Sequence, residues 1–174
     1  LPNNPSEATN LNVILDAAKG YKTGEVLAHG FGSDPHAPEY TYLKGDITKA
    51  YSSKVNEVKR SFVFLNLKGS NVPATLIVFD KVVSSNPEFK KFWLLHSIGE
   101  PRVEENRVTV TMTENGNNGK LVNTVLLPEQ NNQEINPVGG PGKEFWVFGT
   151  NYPSEPTYKR ENSYERAAWR VEVS

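Results

Sequence analysis

The hydrophobic and polar pattern along the chain is dominated by two neighbouring runs that carry apolar residues on both sides, Val58 to Leu67 and Ala74 to Val83. In the first, Phe62 and Phe64 fall on one side of an extended chain, while Val63, Leu65 and Leu67 fall on the other. The second repeats the pattern, with Leu76, Val78 and Val82 opposed to Ile77, Phe79 and Val83. A strand that is apolar on both faces needs cover on both. The two runs are therefore expected to be adjacent strands at the centre of a packed sheet. The polar break Lys68 to Pro73 has the length of a hairpin connection, and Pro73 stands where it removes no central ladder hydrogen bond.

The same criteria place shorter strands along the rest of the chain. Asn10 to Leu15 alternates and is closed by the turn Asp16 to Gly20. Tyr21 to Ala28 follows, then a Gly- and Pro-rich loop from His29 to Pro38. Tyr40 to Leu43 is a short aromatic and β-branched strand, turned at Gly45-Asp46 into Ile47 to Ser53. Phe89 to Ile98 has the aromatic and aliphatic density of a buried strand. Arg107 to Thr113 is expected to send Val108, Val110 and Met112 inward, with Lys120 to Leu127 as its antiparallel partner across a turn at Glu114 to Gly119. Glu144 to Phe148 and Ala168 to Val173 complete the set. About ten short strands, turn signals between them and no amphipathic helical period predict an antiparallel β-sandwich. The 174 residues suit a single domain spanning 1–174.

Composition narrows the function classes. Hydrophobic residues make up 37% and charged residues 22%, as in a globular domain. The 13 Gly and 12 Pro are dispersed as turn punctuation. A net charge of −1 provides no global field to draw in nucleic acid, and no apolar run has the length of a membrane helix. Cysteine is absent, which excludes disulfides and thiol chemistry. The chain opens at Leu1 and stops at Ser174 inside a strand-like run, and is expected to be a piece of a longer protein.

Candidate chemistry is sparse. His29, Asp34 and His36 share one loop, but their spacing matches no standard metal motif, and an ordinary loop is the preferred reading. His96, after Trp93 to Leu95, is expected to be a hydrogen-bonded histidine of the core or sheet face. Gly139 to Lys143 has the outward form of a phosphate-binding loop. It lacks the full glycine spacing, carries Glu144 where Ser or Thr is needed, and precedes an aromatic strand rather than a helix, so it is expected to be a turn. Glu104 and Glu105 fall in an expected turn, where solvated charge is the default. No Gly-x-Ser-x-Gly elbow is present. Lys44, Lys49, Lys54, Lys59 and Arg60 form the densest basic region, interleaved with Tyr40, Tyr42 and Tyr51. Tyr40, Tyr42 and Lys44 are the candidate substrate-binding residues, since rings and a cation on one sheet face suit an anionic sugar. Asp46 and Glu57 dilute the patch, and a salt-bridged, solvated face is the competing reading.

Five segments together resemble the non-catalytic β-rich part of the heparinase II/III-like polysaccharide lyases. They are Val26-Leu-Ala-His-Gly-Phe-Gly-Ser-Asp-Pro35, Tyr40-Thr-Tyr-Leu-Lys-Gly-Asp-Ile-Thr48, Arg60-Ser-Phe-Val-Phe-Leu-Asn-Leu67, Phe92-Trp-Leu-Leu-His-Ser97 and Gly139-Gly-Pro-Gly-Lys-Glu-Phe-Trp-Val-Phe-Gly149. The resemblance runs in order over nearly the whole chain. It implies a parent enzyme in which a helical toroid is joined to β-sandwich domains. Such a parent cleaves heparin and heparan sulfate by β-elimination at the uronic acid, in the bacterial periplasm. The family's Tyr and His acid/base residues, and the His-x-His and Asp of its structural zinc, belong to segments upstream. None of those motifs occurs here, so no catalytic and no metal residue is carried over. The expected partners are the upstream toroid, a sulfated glycosaminoglycan held by the parent, and a second copy in a homodimer. Two alternatives stand beside this: a separate carbohydrate-binding module using the Tyr40, Tyr42 and Lys44 face, and a purely structural or oligomerisation domain.

Overall fold

The computed structural model describes residues 23–68, 71–114, 116–152 and 169–174. The expected strand Asn10 to Leu15 and its turn lie outside the described residues. Among the described residues the chain is all-β, and every strand pairing is antiparallel. It divides into two compact units, Leu1–Phe89 and Lys90–Ser174.

The first unit is a four-stranded meander in the order β1-β2-β3-β4, formed by Glu25–Phe31, Tyr40–Asp46, Val55–Asn66 and Ala74–Ser84. The two runs that dominate the sequence are its long central hairpin, with Phe62 opposite Val78 and Val63 opposite Ile77. Pro73 accepts the Leu67 N–H at 2.9 Å through its carbonyl, at the mouth of the hairpin. Among the described residues the expected cover is not found: Leu76, Ile77, Phe79 and Phe64 are all exposed, and β4 is an edge strand rather than a central one. Val58 is, among the described residues, the buried hydrophobic residue of this sheet. The Thr48 hydroxyl holds it in place by accepting the Val58 N–H at 2.9 Å, and the Val58 carbonyl accepts the Ile47 N–H at 2.9 Å. Asp46 starts that turn by accepting the Thr48 N–H at 2.9 Å, and a single 3-10 turn, Thr48–Ala50, follows.

Among the described residues the second unit contains two three-stranded sheets and one two-stranded pair. One, in the order β5-β12-β9, consists of Trp93–Ser97, Ile135–Gly139 (β9) and Trp169–Val173 (β12). The other, β6-β7-β8, consists of Arg102–Glu104, Arg107–Glu114 and Asn117–Thr124. Val108 from the second sheet and Val171 and Val173 from the first meet with Val125 in one core. Trp93, Leu95, Val103, Val110 and Ile135 pack around it. This is the face-to-face arrangement of a sandwich, reached because each strand offers alternate side chains to one side.

Several boundaries depart from the sequence-based expectations. The Arg107 strand pairs with 117–124 rather than 120–127, because the connection is a tight turn with Gly116 at φ 78°. Met112 is exposed, since it pairs near that turn, far from the core residue Val108. The strand expected over Phe89 to Ile98 is limited to Trp93–Ser97. Only its alternate residues turn inward, while Leu94 and His96 are exposed. His96 is therefore a sheet-face residue, opposite Arg170.

Gly139 to Lys143 is a turn, with the Lys143 N–H bonded to the Gly140 carbonyl at 2.9 Å. Gly140, at φ 76°, lies so close to the Trp169 ring that a Cβ there would stand 2.6 Å from its Cζ2. Beyond it the aromatic strand shrinks to a minimal hairpin, β10 (Trp146–Val147) against β11 (Thr150–Asn151). Phe148 at φ 45° and Gly149 at φ 89° form its two-residue tip, so Phe148 is a turn residue and not a core one.

Candidate functional site

The register places Tyr40, Tyr42 and Lys44 on one face of β2, because they alternate along it. Their cross-strand partners Leu65, Val63 and Ser61 on β3 share that face, as do Thr75, Ile77 and Phe79 on β4. Tyr40 is exposed, whereas Tyr42 and Lys44 are half-buried. Lys44 makes no ion pair among the described residues. Two rings and a cation thus form a row beside an apolar strip. Such a row can stack a sugar ring and pair with an acid group on it.

The wider basic patch does not stay together. Arg60 projects from the opposite face of β3 to Lys59. There it forms a two-pronged bond with Asp80 on β4, Nε to Oδ1 at 2.7 Å and Nη2 to Oδ2 at 2.6 Å. Asp80 raises the proton affinity of the guanidinium still further. Lys54 lies over the Phe89 ring, 5.8 Å from its centroid.

On the face of Lys44, the sheet ends in alternating charge. Glu57 accepts hydrogen bonds from Lys59 and from Lys81, the latter at 2.6 Å. These two ammonium groups, Lys59 first, hold the Glu57 carboxyl below its ordinary value. The bonds from Thr48 do the same for Asp46. An open cleft of about 590 Å³ runs beside them, lined in part by Asp46, Thr48, Lys49, Glu57 and Lys59. A carboxylate kept ionised by lysines is a weak base near neutral pH, so this cleft suits ion pairing better than proton abstraction.

The three residues expected in one loop are divided: His29 lies in β1 opposite Leu43, and Asp34 and His36 follow in the loop after it. All three residues are exposed, and Asp34 accepts the His36 backbone N–H at 2.9 Å, a local turn. Among the described residues, no group of three or more His, Cys, Asp or Glu side chains is placed to hold a metal ion. No helix of the described residues is long and apolar enough to cross a membrane, which leaves strands unaddressed.

Glu144 has a structural task that its sequence position concealed. Its carboxylate accepts the Gly142 N–H at 3.1 Å and the Asn151 amide at 3.3 Å, and Asn151 in turn accepts the Phe145 N–H at 2.9 Å. Bonds from its own backbone N–H and that of Gly142 lower the Glu144 carboxyl. This side chain locks the glycine turn onto the β10–β11 hairpin. Sequence reasoning also missed Lys81 and Asp80, whose partners are fixed only by strand register. It placed Phe148 inside a strand, although a residue followed by Gly after a short β run is a hairpin-tip signal.

The chain matches no protein-family model, and no curated protein matches it.

Proposed function

We propose that this chain is the non-catalytic β portion of a heparinase II/III-type polysaccharide lyase of the bacterial periplasm. The parent cleaves heparin or heparan sulfate by β-elimination, and this portion buttresses a helical toroid and walls its substrate cleft. The reading rests on the five resembling segments. The observation that supports it best is the two-faced apolar hairpin of β3 and β4, whose Phe64, Leu76, Ile77 and Phe79 are exposed. Contiguous exposed apolar surface of this kind marks a site of contact with further protein. Acid/base residues and a structural zinc belong, in this reading, to upstream segments. A homodimer contact on the same faces is compatible with it.

Two measurements test the proposal. The isolated chain is expected to form no unsaturated uronic product from heparan sulfate, followed by ultraviolet absorbance. Turnover above a buffer control would show that the chemistry resides here after all. The gene upstream of Leu1 is expected to encode a helical toroid and a His-x-His segment, and an unrelated domain there would refute the family assignment.

A second reading, a carbohydrate-binding module, is favoured by the row of Tyr40, Tyr42 and Lys44 on β2, with Lys44 in no ion pair among the described residues. It predicts salt-sensitive binding of heparan oligosaccharides that is lost in Lys44→Ala. Unchanged binding in that variant removes it.

A further inference from the structure

The least economical feature of the fold is the tip of the β10–β11 hairpin. Phe148 is 101% exposed and sits at φ 45°. Two-residue tips with positive φ at both positions favour Asn-Gly or Asp-Gly, since a bulky side chain is strained in the left-handed region. Asn at this position would relieve the backbone and remove an apolar ring from water. Neither stability nor solubility accounts for Phe148.

Its surroundings specify what the ring is for. Lys143 stands at the base of the same loop with its Nζ 5.5 Å from the centre of the Trp146 ring, and it has no carboxylate partner among the described residues. The nearby acid, Glu144, is engaged by Gly142 and Asn151. Tyr152, just past β11, is a second exposed ring. The loop therefore combines exposed aromatic faces, an ammonium group over the Trp146 ring with no carboxylate partner among the described residues, and polar residues such as Thr150 and Asn151 between them. A protein contact of useful strength needs a broad apolar area around its anchor, which a hairpin of two-residue strands does not supply. A pyranose ring with an acidic substituent matches it better. The ring C–H groups lie on Phe148, and the carboxylate or sulfate pairs with Lys143.

We infer that the β10–β11 hairpin is a binding site for an acidic sugar unit, with Phe148 as the stacking platform and Lys143 as the anion partner. The inference rests on the proposed glycosaminoglycan context and adds to it a contact point on the second unit, besides the candidate β2 row on the first. A site this small binds weakly and serves to hold a long chain rather than to recognise its sequence.

The test is calorimetric titration of the 174-residue chain with a heparan sulfate hexasaccharide at low and moderate salt. Phe148→Asn and Lys143→Gln are compared with wild type. Phe148→Asn is a substitution the backbone accepts, and an unchanged or raised urea midpoint verifies its fold. Binding is expected to weaken about tenfold in Phe148→Asn, which corresponds to the loss of one stacked ring. Lys143→Gln is expected to weaken it comparably and to reduce its salt dependence. Wild-type affinity in both hairpin variants overturns the inference, and so does the absence of any heat with the wild-type chain. Loss of self-association in Phe148→Asn, seen by sedimentation with sugar binding intact, makes the ring a protein contact and also overturns it. Turnover by the isolated chain is read separately by absorbance, so failure of the lyase-portion reading is distinguishable from failure of this site.

Discussion

Arg60 and Asp80 are direct cross-strand partners on β3 and β4, joined by a two-pronged bond of 2.7 and 2.6 Å. On their face of the sheet they are surrounded by Phe62, Phe64, Leu76, Val78 and Val82, so a self-neutralised ion pair sits within apolar surface. Flanking hydrophobes reduce competition from water, and the planar guanidinium matches the carboxylate in geometry. The guanidinium is still partly exposed, which screens the pair.

A double-mutant cycle with Arg60→Met and Asp80→Leu is expected to give a coupling of about 1 kcal/mol after allowance for that screening. Each single variant destabilises, because it strands one charge among apolar neighbours. The double variant regains most of the loss. Urea unfolding of the four proteins measures this, and additivity within error contradicts it.

Gly140 and Gly142 have similar backbone angles, φ 76° and φ 80°, but different surroundings. A Cβ on Gly142 meets nothing within 4 Å, whereas one on Gly140 would strike the Trp169 ring. Gly142→Ala is expected to cost about 1 kcal/mol from the left-handed backbone alone. Gly140→Ala is expected to cost at least about 2 kcal/mol and to change the near-ultraviolet signal of Trp169. Equal losses would mean that the close approach carries no energy.

Val108 and Val171 are fully buried and face each other from the two sheets of the second unit. Truncation of either to Ala is expected to cost about 2 kcal/mol, the lost transfer energy plus a cavity. Val147→Ala, on an exposed position, is expected to stay within about 0.5 kcal/mol of wild type. The contrast is read from thermal or urea midpoints.

Asp46, Glu57 and Glu144 all bind protons less readily in the folded chain than their ordinary values of 3.8, 4.5 and 4.5. A lowered folded value contributes stability above the unfolded value and loses it as pH falls through the folded one. Stability is therefore expected to be level near neutrality and to decline on acidification below about pH 4.5. Lys59 acts in the opposite direction: Glu57 raises its proton affinity, so its contribution is present at neutral pH and fades above its ordinary 10.5. Glu57→Gln is expected to flatten both limbs. An acid limb identical to wild type would exclude Glu57 as a contributor.

Local pattern sufficed for the all-β class, the hairpin of β3 and β4, the inward Val108 and Val110, and the glycine turn at Gly139 to Lys143. Each of these depends on period-two alternation or on Gly and Pro placement, which are properties of neighbours in sequence. The common face of Tyr40, Tyr42 and Lys44 was legible for the same reason. Register, edges and exposure were not. Lys81 finds Glu57 and Asp80 finds Arg60 only after the two long strands are aligned. Alternation is blind to what covers a face, so the exposed Phe64, Leu76, Ile77 and Phe79 read as core residues. The tertiary structure alone sets β12 between β5 and β9, because pairing distant segments depends on closing long loops and not on local preference. It also places Phe148 at a strained, solvent-facing tip: an apolar letter in the sequence is the same whether a strand continues or turns.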